Sequence, residues 1–399
     1  LDTHRELAVR PPRHIPALRK ACHDQGRRRQ ALIDQGVTIT GATGIGQRVH
    51  VARGSHLHDV VLWDDVSVAV PSILATGILV AENMGPARPC STPPQPDPRI
   101  LATLGVNADA YELEPFPKQG SGRIYARLRA GDQSWVWCRY DSSRTENATF
   151  AAVAGSLARL GLRVPRVHIH LPACGELLLR DLGNRTLIGE DDPAVVPRVL
   201  ADALDQLALL HVRGRAVLHR DETPMQPPFD AQLYDWERDY FRDHVLARLA
   251  NRPAAWDAVA KEYDQVRELL ATQPLVPLHR DCQSANIIIA EGRAHFLDFQ
   301  GLRLGVGAYD VASLIDDPYR CYPPELQGRM IVHYGRAVEA LGGESPSSAV
   351  LQAAGIQRLL QALGAFSKLW LTDGLSWYAS CLGPGLRMLA RVVAQRLAE

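Results

Sequence analysis

The sequence predicts an α+β fold of two lobes, a small β-rich lobe with one helix and then a larger helical lobe, preceded by a short left-handed parallel β-helix segment. Three observations predict it. Aliphatic residues recur every six positions across residues 36–80. A proline-rich stretch then marks a boundary, and beyond it β-type segments give way to long helical patterns interrupted by one strand–loop–strand unit.

The bulk properties bound what such a chain does. Its 399 residues are enough for two or three domains. Lys+Arg and Asp+Glu both number 44, so no net field recruits nucleic acid or an anionic membrane. An anionic substrate therefore needs a local site. The seven cysteines are scattered without a CxxC pair, which argues against a disulfide framework or structural zinc and fits a reducing, cytoplasmic setting. No apolar run reaches membrane-spanning length, and the N-terminus has no signal-peptide core. Beginning at Leu1 inside an amphipathic segment, the chain is expected to be a fragment or a processed product.

Residues 5–35 are charged and helix-compatible. Ile39, Ile45, Val51 and Leu57 then fall six apart, and Leu62, Val68, Leu74 and Val80 form a second hexapeptide series. With about 18 residues per coil, this region supplies two or three coils, near the minimum for a stable stack. "VTITGATGIGQRV" also looks like the glycine turn of a dinucleotide site, but such a site needs a helix after the glycines. Here β-branched residues follow, so the hexapeptide reading outweighs it. Gly85–Pro98 reads as a semi-rigid linker.

After the linker come β-type segments at 112–140, a helical pattern at 145–160 and a strand at 175–182. Helical patterns at 193–212 and 231–271, a strand–loop–strand unit at 275–299, and helices at 324–341, 348–370 and 385–398 complete the chain. The boundaries are therefore 1–84, a linker at 85–98, a small lobe at 99–182 and a large lobe at 183–399.

Leu-His-Arg-Asp occurs twice, at 218–221 and at 278–281. Five residues after Asp281 stands Asn286, followed by the apolar run Ile287–Ile289, and Asp298 closes a second apolar strand. Phosphoryl transfer needs a carboxylate beside the acceptor hydroxyl and hard oxygens to hold magnesium against a triphosphate. Asp281 suits the first role; Asn286 and Asp298 suit the second. One acidic residue is ordinarily a solvated charge, but three residues at this spacing between two strands are poorly explained that way. Asp221 lacks the partners: Gln226 holds the place of the asparagine, and Pro227 and Pro228 cannot continue a buried strand. That copy reads as a helix running into a loop, bordering the acceptor side at most.

Upstream, Gly120, Ser121, Gly122 and Arg123 form a short glycine turn whose backbone N–H groups can cradle phosphate oxygens. Such a turn is also a common hairpin, and its place ahead of the catalytic loop is what gives it weight. Arg180, Asp181 and Leu182 follow two strands later, where backbone groups can meet adenine as a hinge. The pairs His56/His58 and His168/His170 read as solvated strand faces rather than metal ligands.

Assembled, residues 105–399 resemble the aminoglycoside-phosphotransferase superfamily of small-molecule kinases, and within it the anomeric N-acetylmuramate/N-acetylglucosamine kinases. The likeness runs through "GRIYARL", "ENATFAAVAGSLARLGLRVP", "GELLLRDLG", "LHRDCQSANIII" and "FLDFQGLRLGVGAYDVASLIDDPY". It implies a protein-kinase-like fold, ATP and Mg²⁺ as cofactors, and a small sugar as substrate. It also implies that His279 and Asp310 support the catalytic loop, and that a helical insert shapes the acceptor pocket with Trp236 and Glu237 as sugar contacts.

The chain departs from the pattern in three places. The strand "SWVWCRY" has no lysine for the α/β-phosphates, as is also the tendency in the amino-sugar branch, leaving Arg139 or Lys118 as replacements. Arg180 stands where the family often has glutamate, and Cys282–Ser284 replaces the more usual residues of the catalytic loop.

"LDTHRELA" with its hexads resembles the tail of a sugar-1-phosphate nucleotidyltransferase without its catalytic motifs. This implies descent from a fused nucleotidyltransferase–kinase, a partner of that kind, and a homo-oligomer through the β-helix. Two alternatives to a sugar kinase stay open. An aminoglycoside-type phosphotransferase would be favoured by an acidic pocket around Glu237, Asp239 and residues 316–317. A catalytically silent nucleotide-binding module would be favoured by the missing lysine.

Overall fold

The computed structural model describes residues 27–398 apart from 41–43, 46–47, 63–66, 69–72, 80–94, 108–109, 117–122 and 142–144. The chain divides into two units, Leu1–Gln95 and Pro96–Glu399.

In the first unit residues 27–34 are helical, followed by short strands at Thr38–Thr40, Gly44–Ile45, His50–Val51, His56–Leu62, Ser67–Val68 and Ile73–Leu79. Their pairings are parallel. Thr38 lies opposite His56, which lies opposite Ile73, so each step consumes 18 or 17 residues. Gly44 faces Val61 and His50 faces Ser67 at the same kind of step. Ile45, Val51 and Leu57 of the first hexapeptide series bury together with Leu32, Val37 and Leu62, and Ile39 packs against them. After the glycines of "GATGIG" the described residues form strands and turns, so the helix required by the dinucleotide alternative is not formed there. Val80, residues 1–26 and most of the Gly85–Pro98 stretch lie outside the described residues.

The elements of the second unit are numbered here from its start. Strands β1 (Glu112–Pro115), β2 (Ile124–Ala130), β3 (Gln133–Arg139), β4 (Val167–Leu171) and β5 (Glu176–Arg180) make an antiparallel sheet of order β4-β5-β3-β2-β1. Alternation along the strands gives it two apolar faces. One packs Leu128, Trp135, Trp137 and Leu178 against Ile100 and Leu101 of helix α1 (Pro98–Leu104), which Asp97 caps. Cys138 and Tyr125 belong to the other face, which joins helices α3 (Phe150–Leu160) and α4 (Val195–Arg220) in the main core; the short α2 (Thr145–Ala148) precedes α3.

The larger lobe contains α5 (Ala231–Phe241), α6 (Ala260–Ala271), α7 (Ala308–Ile315), α8 (Pro324–Ala340), α9 (Ser348–Leu371) and α10 (Ala379–Ala398). Helix α9 is buried along most of its length and packs against α5, α6, α7 and α10. Two small antiparallel pairs sit on this lobe: β6 (Val276–Leu278) with β9 (Arg303–Gly305), and β7 (Ile287–Ala290) with β8 (Arg293–Phe296). Gly305, opposite Val276 in the first pair, leaves room for a neighbouring side chain; a Cβ there would lie 2.5 Å from Leu278 Cδ1.

Two expectations about helices are corrected. The stretch 231–271 is not continuous: α5 runs on as a wide π-type turn through Leu249, breaks at Asn251, and resumes by a 3₁₀ turn from Pro253. Proline lacks the N–H and crowds the preceding turn, which accounts for the break. Helix α4 continues past residue 212 to Arg220, so the first Leu-His-Arg-Asp forms its last turn and cap.

Candidate active site

Between β6 and β7 the chain makes a tight loop whose backbone is held by buried carboxylates. The N–H groups of His279 and Arg280 donate to the two oxygens of Asp310, at 2.7 and 2.8 Å. Asp310 lies in the first turn of α7, fully buried, with His211 Nε2 at 3.3 Å and Tyr334 behind that imidazole at 2.7 Å. At the far end the Ser284 N–H donates to Asp317 Oδ2 at 2.8 Å, and the other Asp317 oxygen accepts the Tyr319 N–H at 2.9 Å. Arg280 has φ 78°, a left-handed conformation costing about 1–2 kcal/mol for a residue with a side chain. The paired bonds to Asp310 hold it there. The His279 ring is buried against Phe296, centroids 5.4 Å apart.

Asp281 emerges from this loop with its carboxylate 2.8 Å from Arg280 Nη1 and 4.0 Å from Arg358 Nη2. Burial pushes its pKa up, and the two guanidinium groups outweigh it, holding the carboxyl below the usual range. Arg358 is anchored by Ser313 Oγ at 2.7 Å, Gln283 Oε1 at 3.0 Å, and Gln361. Arg280 also lies 3.7 Å from Glu237 Oε1.

Glu237 and Trp236 do not share a contact surface. Glu237 is 0% exposed, its oxygens accepting Tyr309 Oη–H and Gln357 Nε2–H at 2.9 Å each, and burial raises its pKa. Among the described residues its contact with the loop is Arg280. Trp236 is 49% exposed and stacks on Tyr240 at 4.8 Å. Successive residues of a helix point in different directions, which separates the two.

Asn286 donates from Nδ2 to the Asp281 carbonyl at 2.9 Å, which leaves the oxygen end of its amide for another partner. The Leu297 N–H donates to the Asn286 carbonyl at 2.8 Å, so the next residue, Asp298, is brought beside Asn286. Asp298 is left-handed (φ 57°, ψ 37°), a region aspartate enters more readily than most, and its carboxylate is 45% exposed. Gln300 Nε2 and Arg123 Nη1 donate to its Oδ1, the latter at 3.3 Å. An amide oxygen and a carboxylate are the hard donors magnesium takes, so these two residues fit that ion.

In the smaller lobe Asp181 receives Arg127 through Nε at 2.6 Å and Nη2 at 3.2 Å, and also the Gly183 N–H at 2.9 Å. Arg180 pairs with Glu291 in the β7–β8 turn at 2.5 Å, and Leu182 is buried. Arg123 donates from Nε to Asn147 Oδ1 at 2.8 Å. Lys118, Gly120, Ser121 and Gly122 lie outside the described residues. Arg139 shares strand parity with Trp135 and Trp137, which places it on the α1 side of the sheet, away from Asp298.

The other Leu-His-Arg-Asp is occupied elsewhere. Asp221 accepts Arg159 at 2.8 Å and Arg220 at 3.1 Å at the C-terminus of α4. The loop beyond it runs along β9, the N–H groups of Gln226 and Phe229 donating to Leu302 and Leu304. Among the weaker candidates, His170 pairs with the Tyr140 hydroxyl at 2.7 Å. Sequence reading missed Arg358 and Gln357 and placed Asp317 in an acidic pocket rather than under the loop; an arginine amid the mostly apolar run of α9 was the one signal available.

A five-stranded lobe and a helical lobe, with a braced carboxylate beside two hard-oxygen residues, form an arrangement suited to phosphoryl transfer. The model of the phosphotransferase enzyme family (APH) matches residues 112–349, more than half of the chain, and the chain belongs to that family. It is a phosphotransferase, and its use of ATP and magnesium follows from that membership. An N-acetylmuramate/N-acetylglucosamine kinase of Pseudomonas aeruginosa is 29% identical over 294 residues, 71% of this chain and 85% of that protein. Two solved structures share the fold. A choline/ethanolamine kinase family protein from Mesorhizobium loti has TM-score 0.53 and 19% identity, with 75% of this chain and 99% of that one covered. A choline kinase from Cryptosporidium parvum has TM-score 0.53 and 11% identity, with 75% and 97% covered. Among the described residues no helix is long and apolar enough to cross a membrane.

Proposed function

We propose that this phosphotransferase acts on a sugar, transferring the γ-phosphoryl group of ATP to the anomeric C1 hydroxyl of an N-acetylated amino sugar. The observation that carries the reading is the charge around Asp281. Arg280 and Arg358 flank it, and Arg303 interacts electrostatically with both Arg280 and Asp281. The acids that would attract a polycation are engaged: Glu237 by Tyr309 and Gln357, Asp239 by Arg238 and Arg242, Asp317 by backbone N–H groups, Asp316 by Arg391. These cations would repel a polycationic aminoglycoside, whereas they would tolerate a neutral amino sugar and attract an anionic one. The names of the sequence relatives support the sugar class.

In this reading Asp281 orients the acceptor hydroxyl and takes its proton as the new P–O bond forms and the bond to the departing ADP oxygen breaks. Asn286 and Asp298 would hold magnesium, which supplies charge neutralisation at the phosphates. Backbone N–H groups of Gly120, Ser121 and Gly122 cradle the phosphates, and the Arg180–Leu182 backbone meets adenine. His279 and Asp310 brace the loop. The completeness of the Asp281, Asn286 and Asp298 set speaks against a silent module.

For residues 1–84 the reading is a hexapeptide β-helix descended from a sugar-1-phosphate nucleotidyltransferase, supported by parallel pairing at steps of 17–18 residues. A nucleotidyltransferase partner and self-association through that stack go with it, as does a cytoplasmic setting.

The test is a panel of sugars and aminoglycosides with ATP and Mg²⁺, the product mapped by NMR. ADP release with an N-acetylated hexosamine and phosphate on C1 is expected. Phosphate on another hydroxyl, or turnover confined to aminoglycosides, overturns the proposal.

A further inference from the structure

A kinase without the β3 lysine needs another cation for the nucleotide phosphates. We propose that Arg123 is that cation and that Asn147 sets its aim, an inference that rests on the nucleotide-binding reading above. Arg123 stands immediately before β2 and follows Gly120–Gly122 in the sequence. Its side chain is only 9% exposed and reaches Asp298 Oδ1 at 3.3 Å. That is long for a charge-assisted bond, which typically spans about 2.7–2.9 Å, so the charge of Arg123 is only partly compensated by this contact.

The tether is the second observation. Asn147 is buried, fixed by its own Nδ2 to the Asp141 carbonyl at 2.9 Å, and it accepts Arg123 Nε–H at 2.8 Å. A neutral amide fixes the guanidinium without cancelling its charge, as a carboxylate would. Nε goes to Asn147, one Nη1 hydrogen to Asp298, and the neutral Tyr125 hydroxyl also meets the side chain; the donors of the planar fork that remain are left for an anion, the geometry in which arginine holds phosphate.

The neighbouring cations are committed. Arg127 is held by Asp181 and Asn184, Arg180 by Glu291, and Arg139 lies on the α1 side of the sheet. Arg123 is the one whose described contacts put it beside Asp298.

The experiment is calorimetric binding of Mg-ADP and of adenosine to the full chain and to R123Q, R123K, R139Q and N147L, with thermal unfolding as a fold control. R123Q is expected to weaken ADP about 10- to 100-fold, the worth of one charged hydrogen bond to phosphate, and to leave adenosine unchanged. R123K keeps the charge but not the fork, and falls between; it serves if R123Q does not fold. N147L weakens ADP but not adenosine, and R139Q changes neither. Wild-type ADP affinity in R123Q or R123K overturns the proposal, as does an equal loss for adenosine, which would make Arg123 a strut between lobes. Failure of the wild-type chain to bind ADP at all is a different result and removes the nucleotide reading itself.

Discussion

At residues 218–221 Leu-His-Arg-Asp closes helix α4, and at residues 278–281 the same four residues leave strand β6 and turn toward Asn286. In the first copy the backbone is committed to its helix: the Asp221 N–H donates to the Val217 carbonyl at 3.0 Å. In the second the N–H groups of His279 and Arg280 find no helix carbonyl and go instead to Asp310. Freed from helical geometry, Arg280 takes a positive φ. The following aspartate then stands beside the hard-oxygen pair. Both aspartates face arginines, so the local letters and even the local ion pairs are alike. What differs is which distant residue receives the backbone.

The sharpest way to break this comparison is to neutralise each aspartate in turn. Asp281→Asn is expected to cut kcat by about 10³-fold or more while leaving Mg-ADP binding near wild type. Asp221→Asn, which touches only Arg159 and Arg220, should leave kcat within about two-fold. Steady-state kinetics of the two variants decide it. Equal losses would mean that the α4 terminus also serves the site.

How much of this was readable follows the same line. Asp281, Asn286 and Asp298 lie within 18 residues of one another, and local spacing between two strands carries them. Ile45, Val51 and Leu57 were legible because a period of six maps directly onto one buried face. Asp317 was read as part of an acidic acceptor pocket; it is a buried acceptor for the Ser284 N–H, 33 positions away, and nothing local announces that. Glu237 was paired with Trp236 as a sugar contact, although helix geometry alone separates neighbouring positions. The break after α5 was also signalled, by Pro253, and the apolar pattern on either side masked it.

Bracing gives a smaller, thermodynamic test. Asp310→Asn keeps the shape but exchanges one anionic oxygen for an NH₂ group facing backbone N–H donors that are already buried. A loss of about 2–3 kcal/mol in unfolding free energy is expected from denaturant titration. Comparable stability in Asp310→Asn and wild type would show that the loop holds its turn without the carboxylate. Asp221 receives side-chain guanidinium groups rather than loop backbone, so Asp221→Asn should cost less stability than Asp310→Asn.

The smallest expected effect concerns pH. Both aspartates are held below the usual carboxylate range, Asp221 chiefly by the hydrogen bond from Arg159, Asp281 by Arg280 and Arg358 against the push of burial. A carboxyl depressed in the folded state binds fewer protons there than when unfolded. It therefore stabilises the fold above an unfolded pKa of about 3.9, and that contribution is lost as pH falls through the lower folded value. This holds for both copies, so titration does not distinguish them by stability. Activity should, because in the proposed function only Asp281 must stay ionised to hold the hydroxyl. The profile of kcat/KM should be flat from pH 7 down to about 5, with its acid limb below the ordinary aspartate value. Removing the cation 4.0 Å from Asp281 with Arg358→Gln raises that pKa and moves the limb to higher pH. Arg159→Gln frees Asp221 to titrate upward and should leave the limb where it is. A limb that follows Arg159 instead would transfer the catalytic role to the wrong copy.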